Sequence, residues 1–285
     1  MKKFLMTLVI LLGFGVSNAY AVPVSINVDE IYDWGRLYSH SGTTYTTTNN
    51  NPAYYGPGTD TAIGTTVTEN TTGNARPSED TWGVGSVASI TSIPPGTTYF
   101  QRDASQELTL MFQNFHDDFL SAPTILGATQ ILSVGGHLQV YLDNTPDFMG
   151  SLGIAGRTGQ TTYTGATDGI LALDLVPVAF DGFGHTLESN FNFLTSSGSG
   201  ALYLATTGAG AWDSMYDTNT QGFGSDFSFS FTVRDNSNPS VGDWIVRGDA
   251  GGESDINAIP EPASMLLFGT GLFGMLGTRL RRKIA

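Results

Sequence analysis

The chain has 285 residues, no cysteine and a formal net charge of −14. Without cysteine, disulfide frameworks and thiol catalysis are excluded, so the fold must rest on its own packed core. Six of the 12 basic residues lie at the two ends. The segment between them keeps six arginines, no lysine and nearly all of the 26 acidic residues, which argues against nucleic acid and against a lysine-bearing phosphate loop.

Lys2 and Lys3 open the chain, residues 4–16 form a short apolar run, and Ser17-Asn18-Ala19-Tyr20-Ala21 follows. A positive start, an apolar core and small residues at −3 and −1 predict a secretory signal peptide over residues 1–21. Ala19 and Ala21 carry the prediction, because signal peptidase accepts only small side chains there. The apolar run is too short to span a bilayer comfortably.

Residues 22–258 read as one extracellular body. From 43 to 74, 12 of 32 residues are Thr. That texture reads as a long exposed loop or an edge hairpin with solvent-facing positions. Thr44, Thr46 and Thr48 form one local run, without the repeated ladder that an ice-binding face would need.

Short strands are expected at 107–112, 138–142, 170–175, 190–194, 201–204, 227–233 and 244–246. The clearest is Phe227-Ser228-Phe229-Ser230-Phe231-Thr232-Val233, whose strict alternation puts four apolar side chains on one face. Gly, Asn, Asp, Ser and Pro separate the runs, and 36 glycines are too many for long helices. The fold class predicted is all-β: an antiparallel β-sandwich, with the jelly roll as one form of it.

Chemical signatures are sparse. The four histidines, His40, His116, His137 and His185, fit no metalloprotease pattern, and the body has no G-x-S-x-G elbow. Gly83-x-Gly85-x-x-Ala88 lacks a βαβ context and reads as a glycine-rich turn. Asp217, Asn219 and Gln221 followed by Gly222 imitate the start of a calcium loop. Its twelfth position is Ser228, where a bidentate Glu is needed. Calcium at those three residues is therefore weighed against an Asx-rich turn. His116-Asp117-Asp118 reads as a polar loop after Phe112, or as metal ligands if the chain bends there. Asp143-Asn144-Thr145-Pro146-Asp147 reads as a turn with an incidental ligand set. Trp34, Trp82, Trp212 and Trp244 are expected in the core; the alternative is a sugar-binding surface.

The C-terminus has its own grammar. Ile259-Pro260-Glu261-Pro262-Ala263 precedes an apolar run, 265–276, and Arg279, Arg281, Arg282 and Lys283 follow. A helix over 263–278 is about 24 Å long at 1.5 Å per residue. That is short of the roughly 30 Å hydrocarbon core, so it is a marginal transmembrane helix whose basic cluster stays cytoplasmic. Pro260 and Pro262 keep the helix from growing backwards.

This tail resembles the PEP-CTERM sorting tail of exported proteins of Gram-negative bacteria, many of which make exopolysaccharide. The resemblance covers 259–283 only. It implies recognition by exosortase, a membrane-embedded transpeptidase-like enzyme, with cleavage near Pro260-Glu261-Pro262. It also implies transient anchoring in the inner membrane before display at the cell surface. The expected function is a non-enzymatic structural or adhesive protein of the extracellular matrix or biofilm, with exopolysaccharide as its partner. The alternatives are a carbohydrate- or calcium-binding module of lectin type, and a secreted glycan hydrolase built on two facing carboxylates.

Overall fold

The computed structural model describes residues 21–35, 38–41, 44–47, 66–68, 81–120, 125–159, 161–192, 194–235, 244 and 246–257. Pro23–Ile256 forms one compact unit. Ala19, the sorting residues and the helix predicted at 263–278 lie outside the described residues. Among the described residues, no helix is long and apolar enough to cross a membrane.

The described strands are β1 (Val22–Gly35), β2 (Tyr38–Ser41), β3 (Thr44–Thr47), β4 (Thr66–Thr68), β5 (Thr81–Ser92), β6 (Thr98–Gln101), β7 (Glu107–Leu120) and β8 (Ala128–Asp143). After them come β9 (Arg157–Gly159), β10 (Thr162–Tyr163), β11 (Ile170–Pro177), β12 (Leu187–Asn192), β13 (Ser197–Thr206), β14 (Phe227–Asp235) and β15 (Val246–Ile256). One helical turn, α1 (Asp213–Tyr216), follows β13.

The main sheet runs β1-β15-β14-β13-β11-β8-β7-β5, and β1 pairs back with β5. Eight strands thus form a closed, barrel-like ring, with β6 added beside β5. The expectation of an all-β antiparallel fold holds; the expectation of a two-sheet sandwich is corrected to one sheet closed on itself. The physical reason lies in long strands bent by bulges. β7, β8 and β1 are 14, 16 and 14 residues long, and the register of β1 on β5 shifts between Asn27/Val28 and Val28/Glu30. Bulges raise local twist and coil a sheet toward closure.

One lane of the ring is shared. β11 lies between β8 and β13 at one end, where Leu175 pairs with both Leu138 and Thr206. β12 occupies the same lane further along, where Leu187 pairs with both Ser133 and Leu202. In the Thr-rich region the described pieces form a small sheet of order β2-β3-β4, so the segment is in part stranded.

The barrel interior is built by alternation. Val24, Ile26 and Val28 of β1, Leu108 and Leu110 of β7, and Leu202 and Leu204 of β13 are buried in a single cluster with Phe227. Burying side chains of this size contributes roughly 1.5–3 kcal/mol each. Glycines make room for rings directly opposite them. Gly200 pairs with Phe231, Gly252 with Phe229 and Gly83 with Phe112, and a Cβ at any of the three would strike the facing ring. Phenylalanine and glycine together therefore fill one side-chain layer.

A second apolar cluster lies on the outside. Trp82 and Val84 of β5 and Met111 of β7 are covered by Tyr163, Ala166 and Trp244, with Tyr32 and Phe148 packed alongside. The segment between β8 and β11 supplies most of this cover. It is fastened by Thr109 Oγ1 donating to Ala166 O at 2.6 Å and by Trp244 Nε1 donating to Gly150 O at 2.6 Å. Arg157 stacks over Trp82 with its guanidinium carbon 4.4 Å from the ring centre.

Candidate functional site

The first place where acidic side chains converge is the junction of β7 and β8. Glu107 and Asp143 are cross-strand partners, and the turn after β8 brings Asp147 to them. One carboxylate oxygen from each lies within 4.8 Å of the others. Glu107 is buried, and its Oε1 accepts the backbone N–H of Asp147 at 2.9 Å and of Phe148 at 3.0 Å. Burial pushes the Glu107 carboxyl above its usual value. The two N–H bonds pull it back, and the charges of Asp143 and Asp147 push it up again. Asp147 is raised too, by desolvation and then by Asp168 and Asp143. Asp143 closes its own turn by accepting Thr145 N and Thr145 Oγ1, both at 2.9 Å. Glu107 therefore pins the covering segment to the barrel. The turn at 143–147 is the one read from sequence; Glu107 was missed.

A second polar constellation crosses the outer face of β8 and β11. His137 Nε2 lies 2.8 Å from Asp174 Oδ1, and Gln139 Nε2 donates to the same oxygen at 3.0 Å. Tyr141 OH donates to Gln139 Oε1 at 3.2 Å. Asp174 Oδ2 accepts the Thr207 hydroxyl at 2.5 Å. Beside it, buried Asp213 gathers the backbone N–H groups of Asp174, Gly208 and Gly210. Both carboxylates tie loops to strands.

The proposed calcium residues fall in the loop 217–226. Its organiser is the buried Asp226, which the sequence places in the same acidic cluster without a role as organiser. Asp226 Oδ1 accepts Thr218 N at 2.8 Å and Asn219 N at 2.7 Å; Oδ2 accepts Thr206 N at 2.8 Å and Thr206 Oγ1 at 3.0 Å. Asn219 Nδ2 donates to Asp217 Oδ1 at 2.9 Å, and Gln221 N donates to Ser225 O. Asp217 and Asn219 are thus adjacent and exposed. Among the described residues, the three-acid ligand-like group is Glu107, Asp143 and Asp147, and it includes none of these three.

His116, Asp117 and Asp118 lie on strand β7, not in a loop, and a register shift falls between Asp117 and Phe119. Their side chains lie outside the described residues, as do those of His40 and Trp34. Trp82 and Trp244 are buried and Trp212 packs against the core, which is the expected place for them. The Gly83–Ala88 stretch belongs to strand β5 rather than to a turn.

The fold thus defines an all-β barrel-like body whose polar clusters hold loops, and identity has to come from the tail. Residues 258–283 match the family described as the PEP-CTERM protein-sorting motif. That motif supports an exported protein sorted by exosortase. No curated protein and no solved structure matches the chain.

Proposed function

We propose that the protein is a non-enzymatic, structural or adhesive component of the cell surface or extracellular matrix, acting in association with exopolysaccharide. The observation that carries this reading is the sorting motif at 258–283. In this reading signal peptidase cuts after Ala21 and the tail holds the chain in the inner membrane for a time. Exosortase then acts near Pro260-Glu261-Pro262, and Arg279, Arg281 and Arg282 stay on the cytoplasmic side. Support from the body is indirect: its buried carboxylates Asp213 and Asp226 are engaged by backbone N–H groups, which is loop-building rather than catalysis.

The test is genetic and biochemical. Replacing Pro260, Glu261 and Pro262 with alanine should trap the protein in the inner-membrane fraction. A strain lacking the protein should aggregate differently while its matrix sugars keep their chain lengths. Normal surface arrival of the triple mutant would sink the sorting reading. Release of reducing sugar by the purified chain, abolished by one carboxylate mutation, would replace adhesion with hydrolysis.

A further inference from the structure

Phe223 combines a strained backbone with an exposed side chain. It sits at φ +59° and ψ +20°, the left-handed region, which a bulky L-residue occupies at roughly 1 kcal/mol or more. The residue is also 59 % exposed. Glycine or asparagine would suit that backbone without the strain. Yet the ring is held in place. It packs edge-to-face on Tyr203 with 4.9 Å between centroids. Gly222 leaves room for this, because a Cβ there would come within 2.6 Å of the Tyr203 ring.

The backbone beneath is fixed by the four hydrogen bonds that Asp226 accepts and by Ser225 Oγ donating to Gly222 O at 2.7 Å. The other exposed side chains of the loop are short and polar: Asp217, Asn219 and Thr220. An exposed ring on a hydrogen-bonded loop that also exposes amide, carboxylate and hydroxyl groups three to six positions earlier is matched to one ligand chemistry. A sugar ring has an apolar C–H face that stacks on an aromatic, and a rim of hydroxyls that pair with carboxylates and amides. A nucleotide base would stack as well, but its phosphates would meet an acidic body. An apolar protein partner would need a contiguous hydrophobic patch, whereas the neighbours of Phe223 along the loop are polar.

We propose that the 217–226 loop is a carbohydrate-binding site. Phe223, backed by Tyr203, is its stacking platform, and Asp217 and Asn219 are its hydroxyl partners; the ligand is a neutral glycan. This deepens the adhesive reading and depends on it only for the source of the glycan.

The experiment is native affinity electrophoresis of the full chain in a zwitterionic detergent, through gels containing dextran, galactomannan or mixed-linkage β-glucan. The wild type should be retarded in at least one gel. Phe223→Gly should weaken that binding roughly tenfold or more, since losing a stacked ring removes the main contact. Phe223→Trp should bind at least as well as the wild type. The site is overturned if none of the three glycans retards the wild type. Retardation of Phe223→Gly equal to wild type would overturn the site and leave adhesion through other residues standing.

Discussion

The imidazole Nε2 of His137 lies 2.8 Å from Asp174 Oδ1, joining the two neighbouring strands β8 and β11 on the outside of the barrel. Burial alone would raise the Asp174 pKa. The hydrogen bonds from Thr207 and Gln139, with the charge and hydrogen bond of His137, outweigh it and hold the carboxyl below its usual value. A carboxyl depressed in the folded state contributes stability above its unfolded pKa, and that contribution is lost as pH falls through the folded value. Asp174→Ala is expected to cost about 2 kcal/mol at pH 7. Urea unfolding at pH 7 and at pH 3 measures it, and the gap between variant and wild type should narrow at pH 3. An equal gap at both pH values would show that the carboxylate charge is not the cause.

Asp33 has the opposite sign. Its Oδ1 is buried without a hydrogen-bond partner, and burial pushes the carboxyl up to about 8. Tyr32 packs on the outer cluster and Ile31 on the inner one, so alternation turns Asp33 inward, opposite Gly83. A raised carboxyl means that the folded state prefers the protonated form. Its contribution is fully present below the unfolded value near 4 and is lost as pH rises toward about 8. Asp33→Asn should therefore be more stable than wild type at pH 8, by about 2 kcal/mol. The advantage should shrink at pH 4.5. Thermal melts at the two pH values decide the matter; a constant difference would refute the assignment.

Glu107 separates two roles in one side chain. Its oxygen holds the N–H groups of Asp147 and Phe148, while its charge opposes Asp143 and Asp147. Glu107→Gln keeps an acceptor and removes the repulsion, so stability should stay level or rise by less than about 1 kcal/mol. Glu107→Ala leaves two N–H groups without their acceptor and should cost about 3 kcal/mol. Chemical denaturation of both variants gives the comparison. Destabilisation of Glu107→Gln as large as that of Glu107→Ala would mean that the negative charge itself is needed there.

Strands whose pattern is written in large residues were legible. Residues 227–233 became β14, and 107–112, 138–142, 170–175 and 201–204 fall within β7, β8, β11 and β13. β15 was legible only at its first residue, because its inward positions before Ile256 are Ala250, Gly252 and Ser254, which are small and buried. The volume at Gly252 is supplied by Phe229 of the next strand, so the apolar signal sits on the partner. Closure was invisible for a related reason: it depends on which strands meet, and β1 pairs with β5 across the 45 residues between them, which include the Thr-rich stretch. The turn at 143–147 was legible from its Asx and Pro residues. Glu107, 36 positions earlier, joins it only through strand register. In the loop 217–226 the spacing of polar residues was real, but backbone N–H groups satisfy its buried carboxylate.

The ring in which β1 neighbours β15 sets a rule for how this chain can be made. The first body strand to emerge during synthesis and secretion has as a neighbour the last one, which ends at Ile256, two residues before the sorting motif begins. Until that strand arrives, β1 and β14 each present an unsatisfied ladder, the kind of edge that recruits other chains. Contacts between residues so distant in sequence form slowly. Completion of the body and delivery of its address label are thus consecutive events, and a chain cut short before residue 246 lacks both.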